Sequence, residues 1–145
     1  MKKILEVFTK SEGETQKFAK LFASEILSAR GSAAFGGKAI VVGLEGELGA
    51  GKTTFVKGFA GGLGIKETMT SPSFILMRVF KIKNRKFFHI DAWRDRLDFR
   101  EFLKNPRNIL LIEWCDKVKH FLPKNYFRFH LKVLSPNLRE ITLWR

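Results

Sequence analysis

The chain has 145 residues, of which 45% are apolar and 15 are phenylalanine; Cys115 is its single cysteine. That suffices for one cored domain spanning 1–145, leaves no room for a separate recognition domain, and excludes an internal disulfide or a disordered chain. The net charge of +13 is uneven: residues 1–77 hold 10 Lys/Arg against 7 Asp/Glu, and residues 78–145 hold 17 against 7.

Residues 4–9 read as a short strand. From 13 to 29, Phe18, Leu21, Phe22, Ile26 and Leu27 recur at helical spacing, with Ser11 or Thr9 as the cap. A small-residue loop over 31–37 leads into an apolar strand at 38–44. The glycine-rich run 46–53 follows, then a helix over 53–60 that stops near Gly61 and Gly62. Residues 73–83 and 85–91 read as a β-hairpin turning near Asn84, so the sheet is expected to mix antiparallel with parallel strands. A short helix is expected over 95–103. The apolar run 108–113 reads as a central strand, and 126–134 with 140–144 as a closing strand pair around Pro136 and Asn137.

Met1-Lys2-Lys3 has the charge of a signal-peptide start, but Glu6, Lys10, Glu12 and Glu14 interrupt any apolar stretch behind it. No run reaches membrane-spanning length, and a lone cysteine suits a reducing compartment. A soluble cytoplasmic protein is expected, with Cys115 a small buried residue beside Trp114.

Gly46-Glu47-Leu48-Gly49-Ala50-Gly51-Lys52-Thr53 fits the phosphate-binding loop. Glycines let backbone N–H groups curl around a phosphate without side chains in the way. Lys52 supplies a mobile positive charge, Thr53 a hydroxyl for Mg²⁺, and the helix N-terminus behind them favours an anion. Strand before and helix after complete the pattern, which points to a bound nucleoside triphosphate rather than a connecting turn. Such a loop needs an acid at the end of a neighbouring strand to hold the metal. Asp91 and Glu113 both end apolar strands. The more continuous run before Glu113 favours it as the metal acid and Asp91 as an acid near the γ-phosphate or its attacking water, although spacing alone allows the reverse. Glu47 is a carboxylate inside an anion-binding loop. It either pairs with Lys52 in the empty site, orders a water in the full one, or points outward.

The loop with Thr54 behind it, Ser71-Pro72-Ser73-Phe74, His89-Ile90-Asp91-Ala92-Trp93-Arg94 and Ile112-Glu113-Trp114 stand in an order that resembles one family. The family is TsaE, also called YjeE, the ATPase of bacterial tRNA threonylcarbamoyladenosine biosynthesis. The resemblance runs from Thr9 onward and includes Ser11-Glu12-Gly13-Glu14-Thr15. It implies a three-layer P-loop NTPase fold with a mixed parallel and antiparallel sheet. It implies ATP on Gly46, Glu47, Leu48, Gly49, Ala50, Gly51, Lys52, Thr53 and Thr54, Mg²⁺ on Thr53 and Glu113, Thr15 near the adenosine, and Trp114 beside the metal acid. It makes Glu47 and Asp91 functional, and residues 71–74 a nucleotide-sensing segment. It further implies a TsaD–TsaB complex as partner, with tRNA met through that complex. Ser73 replaces the family's usual Thr, Trp93 replaces its Tyr, and residues 95–106 are shorter and more basic than its acidic region.

Two other readings share these residues. A small-molecule kinase would use the same loop with an arginine lid, for which Arg94, Arg96 and Arg100 are candidates. A nucleic-acid-binding module would use Lys81, Lys83, Arg85 and Phe87 as a platform, but leaves the phosphate loop without a purpose. No Asn-Lys-x-Asp guanine-reading motif is present. The basic second half reads equally as a face for nucleic acid or an acidic protein, and as a solvated surface.

Overall fold

The computed structural model describes residues 1–29, 35–70, 76–94 and 97–145. The expectations for residues 71–74 and for Arg96 lie outside these. The elements are β1 (Lys3–Thr9), α1 (Glu12–Ser28), β2 (Ile40–Glu45), α2 (Lys52–Gly62), β3 (Met77–Ile82), β4 (Arg85–Asp91), β5 (Asn108–Glu113), β6 (Phe127–Ser135) and β7 (Leu138–Trp144). One sheet holds all seven strands in the order β1-β7-β6-β2-β5-β4-β3. Its centre is parallel, β6 and β5 flanking β2 and β4 flanking β5. Antiparallel β3 closes one side, and β7 with β1 the other. The fold is the mixed α/β P-loop class expected from the sequence.

The alternation of β4 and β5 explains their unbroken apolar runs. Phe87, Ile109 and Leu111 face α1 and α2, whereas Phe88, Ile90, Leu110 and Ile112 face the opposite layer. A strand covered on both faces has no polar alternation to show. On the helix side the filling is aromatic: Phe22 and Phe55 each bring their rings to 4.8 Å from Phe129. Each such ring contributes about 1.5–3 kcal/mol by burial. Phe87 is fully buried in this layer and offers no platform for a base.

The other face is covered by three short 3₁₀ turns, at Arg100–Lys104, Cys115–Lys117 and Lys119–Phe121. The helix expected over 95–103 is therefore shorter, later and of tighter winding where it is described. The cause is local: the Asp98 carboxylate accepts the Arg100 N–H at 3.1 Å and competes with helical pairing. An Arg100 fork at 2.8 Å also holds that exposed carboxyl down to about 2. In the β3–β4 hairpin, the positive φ of 50° falls on Lys83 rather than on Asn84.

Ser11 caps α1 by accepting the Glu14 N–H at 3.1 Å, and Glu14 reaches back to the Lys10 N–H. Thr9 is not the cap; its hydroxyl meets that of Thr15 at 2.7 Å, both side chains buried. The two helices approach until backbones touch. A Cβ at Gly58 would lie 2.1 Å from the Gln16 carbonyl oxygen of α1. Among the described residues no helix is long and apolar enough to cross a membrane.

Gly58→Ala therefore has to push α1 and α2 apart, and is expected to cost at least about 2 kcal/mol in a urea-unfolding titration. Cys115 is fully buried, and burial, reinforced by the neighbouring Glu45 carboxylate, raises its thiol pKa. Iodoacetamide should label it only as the protein unfolds, followed by mass spectrometry across a denaturant series.

Candidate functional site

β2 leaves the sheet through Gly46, at φ 147°, where an added Cβ would meet the Leu131 carbonyl oxygen of β6 at 2.5 Å. The chain turns through residues 47–50 and enters α2 at Gly51, which has φ 101° and no side-chain cap. The first N–H groups of α2 are thus left for a ligand, with the helix dipole behind them.

Beyond this loop lies a cavity of about 860 Å³. It is lined by Leu48, Gly49, Gly51, Lys52, Thr53 and Thr54 of the loop and α2, by Asp91, Glu113 and Trp114 at the strand ends, and by Thr15 of α1. Three of the residues expected at the site lie off this wall. Gly46 packs against β6, Ala50 is buried in the core, and Glu47 is exposed on the turn.

The parallel register brings the acids together, pairing Leu44 with Glu113 and Glu113 with Asp91. β5 is the immediate neighbour of the loop strand, and β4 stands one strand further. Odd positions of β4 and β5 face the helices, so His89, Asp91 and Glu113 continue the row begun by Phe87, Ile109 and Leu111. His89 Nε2 lies 2.7 Å from Glu113 Oε2, with both side chains buried. An ionised carboxylate only accepts, so Nε2 is the donor. Asp91 Oδ1 accepts the Trp93 N–H at 2.9 Å.

Lys52 is buried and donates to the carbonyl oxygens of Gly46 and Glu47, the latter at 2.8 Å. Its contact with Glu47 is thus to the backbone and not to the carboxylate. Its ammonium also lies 3.8 Å from the centroid of the Trp114 ring. Burial pulls the Lys52 pKa below the usual lysine range, and Glu113, Asp116, Asp91 and Glu47 draw it part of the way back. Trp114 takes the left-handed conformation, φ 60°, and its ring meets Trp93 edge-on at 4.4 Å. Leu76, also on the cavity wall, has φ 63°. Two of the three positive-φ non-glycine residues among those described are here, where strain is expected to collect.

Sequence reasoning missed His89, Arg139 and the role of the β6–β7 turn, whose Pro136 and Asn137 reach the cavity with Arg139. The period of β4 offered a signal for His89, two residues before Asp91 on the same face. The turn offered none, because β6 and β7 are brought there only by sheet order. Of the candidate lid arginines, Arg94 lines the cavity while Arg100 is held by Asp98 and lies off it.

The site tolerates a magnesium ion on chemical grounds. Thr53 and Glu113 are hard oxygen donors on one wall, and with Glu113 Oε2 committed to His89, Oε1 has no donor among the described residues. No group of three His, Cys, Asp or Glu side chains gathers among the described residues. A cation held by one or two protein oxygens plus phosphates fits this set.

A glycine loop between a parallel strand and a helix, with a buried lysine and strand-end acids around it, defines a protein of the P-loop fold class. The family model for threonylcarbamoyl adenosine biosynthesis protein TsaE matches residues 9–141, and the chain belongs to that family. Curated relatives bear the same description, tRNA threonylcarbamoyladenosine biosynthesis protein TsaE. That of Bacillus subtilis is 34% identical over 89% of this chain and 78% of its own. The Rickettsia typhi protein is 36% identical over 89% and 87%, and the Aquifex aeolicus protein 33% over 100% and 99%. The crystal structure of Bacillus subtilis YdiB superposes with a TM-score of 0.79 at 31% identity, covering 99% of this chain and 86% of that one.

Replacing His89 by Leu leaves the buried Glu113 carboxylate without its donor. His89→Leu should cost about 1–3 kcal/mol in urea unfolding, and His89→Gln, which keeps an N–H near the same place, should recover most of it.

Proposed function

We propose that this protein is a Mg²⁺-dependent ATP hydrolase acting as a single domain, 1–145, in the cytoplasm. It supports threonylcarbamoylation of the tRNA adenosine beside the anticodon, together with a TsaD–TsaB complex. The observation that carries the reading is the convergence of Lys52, Thr53, Asp91 and Glu113 on one cavity wall. The family and its relatives support the pathway.

The triphosphate lies along the loop from Gly46 to Thr54, its oxygens accepting from backbone N–H groups. Lys52 exchanges the Gly46 and Glu47 carbonyls for phosphate oxygens, and its low pKa reflects the desolvated position that makes this charge effective. Mg²⁺, when bound, neutralises charge on the β- and γ-phosphates, and Thr53 with Glu113 would hold it. Asp91 orders the attacking water, because it stands on the cavity wall and Glu47 does not. Water adds to the γ-phosphorus as the bond to the β–γ bridging oxygen breaks, giving ADP and phosphate. The adenosine reaches toward Thr15, whose hydroxyl is held by Thr9, and toward the Pro136–Asn137 turn. Arg139 donates to the carbonyls of Ser135 and Pro136 in its own turn, which leaves Arg94 as the arginine at the rim. Arg94 stands at the rim and not on the loop that takes the phosphates, so turnover by the protein alone is expected to be slow until a partner completes the site.

The test is phosphate release from Mg·ATP by the protein alone and with purified TsaD–TsaB. At least tenfold stimulation, on the order of 1.4 kcal/mol in the barrier, is expected. Lys52→Ala should lower release by more than about 100-fold, and Glu113→Ala should weaken Mg²⁺-dependent nucleotide binding. Normal turnover by Lys52→Ala would falsify the site assignment. ATP binding without stimulation would redirect the search to metabolite acceptors of the phosphoryl group.

A further inference from the structure

At the end of the sheet away from the phosphate loop, the topology gathers positive charge from segments far apart in the chain. β4 begins there, pairing Lys86 with Asn108 at the start of β5. Arg85 donates to the Pro106 carbonyl at 3.5 Å, which ties the β3–β4 turn and its Lys83 to the segment carrying Lys104 and Arg107. Ala39 donates to the Leu103 carbonyl and so brings in Lys38. Lys38 and Lys124 line one hollow of about 480 Å³. Six of these seven cations are exposed, and Arg85 is half-buried. Among the described residues only Lys104 of the seven has an ion pair, an exposed one with Glu101.

The acids that end the parallel strands stand at the opposite end. Glu45, Asp91 and Glu113 terminate β2, β4 and β5, with Glu47 and Asp116 just beyond. Like charges crowded on one end repel one another, and among the described residues Glu101 alone forms an ion pair with one of them. Among the described residues, none of the large exposed apolar side chains that anchor protein interfaces falls within these charged segments. Leu48 and Trp93 are at the phosphate-loop end, Met1, Ile4 and Phe8 at or on β1, Leu21 on α1, Val79 on β3, and Val133 and Leu134 on β6.

We propose that this end of the sheet docks the phosphate backbone of a structured RNA, which in the function proposed above, on which this inference rests, is the tRNA being modified. Lysines and arginines spread over four segments match a polyanion, and none of those four segments carries a large exposed apolar side chain of the kind that anchors a protein partner. Phe87 and Phe88 are buried and offer no ring for stacking, and the exposed lysines and arginines make this a face that reads charge and shape more than bases. Its distance along the strands from the phosphate loop leaves the nucleotide cavity and its apolar rim open while RNA is held.

Anisotropy titrations of a fluorescent, unmodified tRNA transcript between about 50 and 200 mM salt test this. The triple variant Lys38→Glu, Lys86→Glu, Arg107→Glu should weaken binding at least tenfold. It should also flatten the log–log salt dependence by roughly 2 to 3, near 0.9 for each phosphate no longer neutralised. A second triple variant, Lys17→Glu, Lys20→Glu, Lys57→Glu, alters the charge equally on the exposed helix surfaces and should bind like the parent. Equal losses in both variants, or no salt-dependent binding by the parent, overturn the proposal. So does a face variant that keeps tRNA but no longer associates with TsaD–TsaB, which assigns the face to a protein. Phosphate release with TsaD–TsaB is followed alongside. Stimulation without tRNA binding removes the RNA face and leaves the proposed function standing, whereas a parent protein without stimulation removes the latter.

Discussion

The parallel pairing of β2 with β5 is the constraint on which the site depends. Parallel strands bring their C-terminal ends to one edge, so the loop that leaves β2 and the carboxylate that ends β5 must emerge side by side. β4 adds itself in the same direction and delivers Asp91 level with Glu113. A slip of β5 by one residue would turn Glu113 to the other face and place Ile112 at the cavity. What resists that slip is packing: Phe87, Ile109 and Leu111 fill one layer, Phe88, Leu110 and Ile112 the other, and neither set fits the other's space.

The same packing sustains an arrangement that is costly in isolation. Lys52, His89, Asp91 and Glu113 are ionisable and buried, and Trp114 holds a left-handed backbone. Each is answered by a specific contact. Lys52 has two loop carbonyls and the Trp114 ring, Glu113 has His89, and Asp91 has the Trp93 N–H. Two of the contacts of Lys52 are to carbonyls of its own loop, and the third is to the Trp114 ring just beyond β5. Those of Glu113 and Asp91 are to neighbouring strand and turn, which stay in place.

Charge separates along the strand axis. Acids and exposed apolar residues surround the phosphate loop, whereas Lys38, Lys86, Lys104, Arg107 and Lys124 crowd the far end. An overall charge of +13 would suggest a uniformly basic surface. The sheet instead sorts it, because parallel strands begin at one end and finish at the other.

Much of this was legible in the sequence, where the signal is local. The phosphate loop declares itself through glycine spacing, the strand ending in Glu113 through an unbroken apolar run, and the start of α1 through its hydroxyl candidates Ser11 and Thr9, between which the structure chose Ser11. Where a local competitor went unread the expectation failed: the Asp98 carboxylate captured the Arg100 N–H, and the helix expected over 95–103 became a short 3₁₀ turn. Phe87 looked available as a platform because alternation alone does not say that both faces of β4 are covered. His89 against Glu113, Thr9 against Thr15, and the β6–β7 turn over the cavity were decided only by the tertiary structure. A residue's backbone preference is set by neighbours a few positions away. Which distant side chains meet is set by strand order and register, and those are chosen by the packing of the whole core at once.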